Sequence, residues 1–135
     1  MSQENVELAR RGYEAMNAVL AEGGDVGAFV REAYDRDVVM EMGTLEGTLR
    51  GRDGVERFIR GQASIIEGLR AEPEEIIDAG DRIVVQLRLS GRAKNSGLPF
   101  EVRILHTLTL RDGRVLHLRL FNSRDKALEA VGLRE

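Results

Sequence analysis

The chain contains no cysteine, which removes disulfides, thiolate metal sites and cysteine nucleophiles together. Two histidines are too few for a metal cage of the usual kind, so neither a metal nor any other cofactor is expected. Lys and Arg, 20 in all, do not exceed the 23 Asp and Glu, and the arginines are scattered, so nucleic acid is not an expected partner. No apolar run approaches the ~20 residues that a membrane-spanning helix needs. The opening MSQENVELARR has no signal-peptide core, and the expectation is a cytoplasmic protein with no membrane partner.

What is present is an ordinary globular composition, 42% hydrophobic and 32% charged over 135 residues, short enough for a single domain spanning residues 1–135. Val6, Ala9, Tyr13, Met16 and Leu20 recur at helical spacing from a possible N-cap at Ser2 to a Gly23-Gly24 stop. Asp25 can cap a second short helix carrying Val26, Phe29, Val30 and Ala33, with Asp35 to Asp37 breaking the pattern before a strand, VVMEM. Residues 43–52 hold three glycines and read as a loop. Asp53 and Glu56 form a D-x-x-E capping pair, which starts a third helix with the stripe Val55, Phe58, Ile59, Gln62, Ile65 and Ile66.

Beyond Pro73 the pattern changes to strands, at 74–78, 82–93, 98–110 and 114–122, and KALEAVGL reads as a closing helix. Ile83, Val85, Leu87, Leu89, Gly91 and Ala93 form the inward set of the second of these, and its shrinking end suits a cavity wall. Helices followed by antiparallel strands give an α+β fold with helices on one face of a curved sheet.

One strand carries the most informative residue. Phe100, Val102, Ile104, His106, Leu108 and Leu110 alternate, which aims one ionisable ring at the core, where an uncompensated polar group is costly. In the hairpin LRDGRV, a two-residue Asp112-Gly113 turn would pair His106 with Arg119 and mix both faces. A three-residue loop, Arg111 to Gly113, pairs His106 with Leu118, Ile104 with Leu120 and Leu108 with Leu116, and keeps one face apolar, so it is the expected register. His117 then lies on the opposite face, and the two histidines cannot share a metal. Leu105, Val115 and Phe121 on that outer face suggest a homodimer surface.

The segment HTLTLRDGRVLHLRLFNSRDKALEAVGL, with YEAMN, DRDVVME and RGRDGVERF before it, resembles the SnoaL-like family of the nuclear transport factor two-like superfamily. The resemblance covers essentially the whole chain and implies an α+β cone, a curved antiparallel sheet wrapped round helices with an internal pocket. In the polyketide cyclases and ketosteroid isomerases of that superfamily a pocket carboxylate on the penultimate strand corresponds in position to His106. The isomerase base is similarly placed to Glu41, and the isomerase's first-helix tyrosine to Tyr13.

Two functional classes follow. The first is a pocket protein for a small hydrophobic or cyclic molecule with acid–base chemistry of the isomerase, cyclase or dehydratase kind. There His106 acts as general base, Glu41 orients it and Tyr13 polarises the substrate oxygen. The expected pocket lining is Met16, Phe29, Met40, Phe58, Leu89, Leu118 and Leu120, with Gln62 and Asn122 as orienting groups and Met42 adding to an adaptable apolar wall. The second class is a non-catalytic ligand-binding or dimerisation module. The charges of RGRDGVERFIR read as a solvated helix face.

Overall fold

The computed structural model describes residues 2–133, the side chains of Ser2, Thr44 and Leu45 excepted, so the expected cap at Ser2 lies outside the described residues. Helix α1, Ser2–Glu22, ends where Gly23 takes φ 65° and the Gly24 N–H donates to the Val19 carbonyl at 2.9 Å. A side chain would be strained in that left-handed conformation, which is why glycine closes the helix. Asp25 caps α2, Val26–Ala33, by accepting from the Ala28 N–H at 3.0 Å.

The remaining elements are β1 (Tyr34–Glu41), α3 (Gly43–Glu46), β2 (Thr48–Arg50), α4 (Gly51–Ile65), β3 (Ile66–Asp78), β4 (Arg82–Ala93), β5 (Pro99–Arg111), β6 (Arg114–Phe121) and α5 (Arg124–Ala130). The strands form one curved, open sheet in the order β2-β1-β6-β5-β4-β3. Neighbours run antiparallel except β1 and β6, which are parallel. Val30, Val55 and Ile59 of the helices pack on Ile83, Val85, Leu87, Leu108 and Leu118 of the sheet's inner face. This is the α+β cone expected from the sequence.

Several boundaries differ from the expectation. The loop 43–52 contains a turn of helix and a short strand paired with β1, and α4 begins at Gly51, so Asp53 sits in its first turn and does not cap it. Strand β3 starts at Ile66, well before Pro73. A sheet edge can hold a proline, which has no N–H to donate, and the ladder slips between Pro73 and Glu75. The stripe of α4 therefore stops at Gln62, with Ile65 58% exposed and Ile66 already in the strand.

The last hairpin also takes a different turn. Asp112 (φ 52°) and Gly113 (φ 79°) form a two-residue turn closed by Arg111 opposite Arg114, not the three-residue loop. Alone it would bring Arg119 opposite His106. Instead Leu110 pairs with Val115 and Thr109 with His117, leaving Leu116 as an extra residue, a β-bulge that slips the register by one. His106 then faces Leu120, and Leu108 faces Leu118. The inner face stays apolar, as burial demands, by a bulge and not by the loop.

On the opposite face, α5 covers Val84, Leu105 and Phe121 with Ala127, Leu128 and Val131. Val115 packs inward with Leu110. The three residues expected to form a free dimer surface are thus used within the chain, and that face presents ion pairs such as Arg103 with Glu74 and Arg88 with Glu72.

Gly91 does not widen a cavity. A Cβ there would lie 2.6 Å from Ile66 Cγ2, 3.2 Å from the Glu67 carbonyl oxygen and 3.3 Å from the Phe100 ring, so the glycine admits a neighbouring side chain. Gly91→Ala is expected to cost about 1–3 kcal/mol in urea denaturation through overpacking, with part of the loss recovered when Ile66→Ala is added. An unchanged midpoint in Gly91→Ala would contradict this close approach.

Candidate functional site

Helix α1 presents Tyr13, Met16, Asn17 and Leu20 on one face, spaced three and four apart, and Asn17 attaches that face to the sheet. Its amide NH2 donates to the Ala71 carbonyl and its carbonyl accepts from the Ala71 N–H, both at 2.9 Å. With α1 held there, the Tyr13 hydroxyl reaches His106 Nδ1 on β5 at 2.8 Å. The rings stack loosely, centroids 6.0 Å apart.

Tyr13 and His106 line a cavity of about 120 Å3. Met16, Met40, Met42, Phe58, Ile59, Leu89 and Ile104 make it apolar, and the polar groups on its wall are Tyr13, Tyr34, Gln62 and His106. Among the described residues no carboxylate, lysine or arginine lines it.

That environment sets the protonation states. Burial disfavours imidazolium and pushes His106 down to about 4, so the ring is neutral near neutral pH. Burial likewise raises Tyr34 to about 12 and holds Tyr13 well above its ordinary value, the nearby Tyr34 adding to the latter. His106 is 9% exposed and its Nε2 has no hydrogen-bond partner among the described residues. If the Tyr13 hydroxyl donates to Nδ1, then Nε2 carries the proton; if Nδ1–H donates to Tyr13, then Nε2 offers a lone pair. Either way one buried polar atom on the cavity wall lacks a partner inside the protein, a state that is costly unless something else satisfies it.

Of the residues expected from the sequence, Tyr13, Met16, Met40, Phe58, Gln62, Leu89 and His106 are brought together on this wall. Glu41 is not. Strand alternation turns Met40 and Met42 inward and Glu41 outward, where its carboxylate hydrogen-bonds His117 Nε2. The expected Glu41–His106 pair is absent, and Tyr13 occupies the orienting position on the imidazole.

Phe29 and Leu118 line a smaller neighbouring cavity of about 60 Å3, which shares Tyr13, Met16 and Tyr34 with the first. Leu120 packs on the core but lines an outer groove beside Glu41 and Lys126. Asn122 is exposed beyond the end of β6 and lines neither of these two cavities. Tyr34, Leu69 and Ala71 line the main cavity without having been singled out. Tyr34 opens β1 immediately after an amphipathic helix, the one signal that its ring turns toward the helices.

Similarity to known proteins is consistent with this architecture. No curated protein matches the chain in sequence. Among solved structures, one named as a SnoaL-like polyketide cyclase from Jannaschia sp. CCS1 superposes with a TM-score of 0.76 at 21% identity, over 100% of this chain and 96% of that one. One named as an isomerase from Bacillus subtilis superposes with a TM-score of 0.73 at 16% identity, over 94% of each chain. TerC, co-crystallised with polyporic acid, superposes with a TM-score of 0.69 at 22% identity, over 95% of this chain and 98% of its own. At such identities the likeness is one of fold. The family description that matches in sequence is the SnoaL-like domain, over residues 9–118, and the chain belongs to that family.

Proposed function

We propose that this protein binds a small hydrophobic or cyclic molecule, its apolar ring in the Tyr13–His106 cavity and one polar atom of it paired with His106 Nε2. The observation that carries this reading is the buried Nε2 without a protein partner on an otherwise apolar wall. An apolar cavity of about 150 Å3 is known to hold benzene, so a space of about 120 Å3 between adaptable methionines suits a single ring. The bound polyporic acid of TerC supports the same use of the fold.

The reaction class that this pair supports is of the isomerase, cyclase or dehydratase kind, and the names of the Jannaschia and Bacillus relatives support it. A neutral imidazole donates from Nε2 to a ligand carbonyl oxygen while the Tyr13 hydroxyl holds Nδ1, which stabilises the enolate oxygen that forms when solvent water takes the α-proton of the ligand. With His106 down at about 4, full transfer of a proton to the ring is uphill, and no carboxylate stands behind it. That observation also favours a second reading, a binding module without turnover.

A thermal-shift screen of single-ring ketones, enols and epoxides tests the binding. Ligand at about 100 times Kd adds about 2.7 kcal/mol of stability, and His106→Leu should remove most of that gain while His106→Gln retains part of it. Equal shifts in wild type and His106→Leu would dismiss the reading. Uptake of deuterium from D2O beside the carbonyl of a bound ketone, abolished in His106→Leu, separates the enzyme from the module.

A further inference from the structure

The arginines of RGRDGVERFIR, read from sequence as one solvated face, divide in the structure. Arg60 pairs with Glu56 at 2.8 Å, and Arg52 donates to the Tyr34 carbonyl at 2.9 Å. The side chains of Arg50 and Arg57 are exposed and make no hydrogen bond or ion pair among the described residues. Both line one open groove between β2 and α4.

Two side chains of that groove, Phe58 and Gln62, also line the His106 cavity. They stand one turn apart on α4 and form the partition between the apolar interior and the arginines. Gly61 beside them lies mid-helix, where glycine costs about 1 kcal/mol relative to alanine. Nothing lies within 4 Å of the position its Cβ would take, so packing does not explain it, and its effect is to leave the groove floor open. Thr48 adds a hydroxyl, and Glu46, the one carboxylate on the groove wall among the described residues, pairs with neither arginine. The local balance is one positive charge.

We infer that the ligand of this protein is an amphipathic organic acid whose apolar ring occupies the His106 cavity and whose carboxylate passes Phe58 and Gln62 to meet Arg50 and Arg57. The inference rests on the cavity being the ligand site and adds the charge of its ligand. Buried His106 Nε2 meets a polar atom on the body of the molecule, and the two groove arginines meet its anionic end, since a guanidinium fork matches a carboxylate with two parallel N–H donors. An acid buried whole would have to lose its charge, since nothing inside the cavity opposes it; an acid reaching the groove keeps it.

The test uses phenylbutyrate and its uncharged counterpart phenylbutanol, with Kd measured by calorimetry and the His106 ring signals followed by NMR. The acid should bind about tenfold tighter than the alcohol, with both moving the His106 signals. Arg50→Gln with Arg57→Gln should abolish the preference without changing the affinity for the alcohol. About 1 M salt, where the screening length falls to about 3 Å, should do the same. Equal affinities with moving His106 signals would overturn the inference and leave the cavity reading standing. A preferred acid that leaves the His106 signals still would place the binding on the surface and overturn it too. If neither probe binds, the inference and the reading beneath it fall together.

Discussion

Between pH 6.5 and pH 4 the protein is expected to lose stability with a slope that disappears in His106→Leu. His106 has its folded value lowered to about 4 from 6.5, so over that window the unfolded chain binds a proton that the folded chain refuses. Stability therefore rises with pH across the window and falls as acid is added. Each tenfold difference in proton affinity is worth about 1.4 kcal/mol, so the loss on acidification is roughly 3 kcal/mol.

The groups that face the ring, Tyr13 and Tyr34, are uncharged throughout and do not contribute there. Asp35, held down by hydrogen bonds from Arg111 and the Asp37 N–H, and Glu74, held down by Arg103, act at the acid end of that window and below it, equally in wild type and variant. Their stabilisation is complete above the ordinary values of 3.8 and 4.5 and is lost as the pH falls below these. Urea midpoints at half-unit pH steps for wild type and His106→Leu check the prediction. The variant also strands the Tyr13 hydroxyl, which offsets its curve vertically but does not tilt it. Parallel curves from pH 7 to pH 4 would mean that the imidazole is not desolvated as described.

Asn17→Ala is expected to be the most damaging single truncation of a polar side chain. It removes both bonds to Ala71 and leaves a buried N–H and a buried C=O unpaired on the edge strand β3. At about 1–3 kcal/mol for each of the two orphaned groups, the loss is about 2–6 kcal/mol. Asn17→Leu should fare little better, since a methyl cannot satisfy either atom. The consequence reaches the site, because Asn17 sits one turn from Tyr13 and sets how α1 meets the sheet. His106 ring signals should shift in Asn17→Ala, and the Ala71 amide should exchange with solvent far faster. A loss below about 1 kcal/mol, within the range of ordinary surface changes, would show that water replaces the side chain freely and that α1 is held by its apolar contacts alone.

The site was legible to different depths at different residues. Alternation from Phe100 to Leu110 placed His106 inside without any structure, and helical spacing placed Tyr13 toward the sheet. The same alternation in Val38, Met40 and Met42 turns Glu41 outward. Resemblance to the isomerases pointed the other way, and the local period won, because a strand cannot present adjacent residues to one face. Asn122 failed for a related reason: parity continued past Phe121, but the strand did not. Asn17 carried no signal at all, since its partner is a backbone group 54 residues away, and a main-chain amide leaves no trace in a side-chain pattern.

Arg50 and Arg57 show the same limit from the other side. Four arginines of RGRDGVERFIR look alike in the sequence, and only their neighbours in space separate the two that have partners from the two that do not.

The amino-acid sequence by itself determined the main helices and strands and most of the faces they bury, because helical and strand periods express burial residue by residue. It thereby determined an α+β layout with helices on one face of a curved sheet, which the family resemblance made a cone, and the inward aim of His106 and Tyr13. Tertiary structure alone decided the bulge at Leu116, the covering of Leu105 and Phe121 by α5, the attachment of α1 through Asn17 and the meeting of Tyr13 with His106 in place of Glu41. These are pairings between distant segments, and their energy depends on distances that no local pattern encodes.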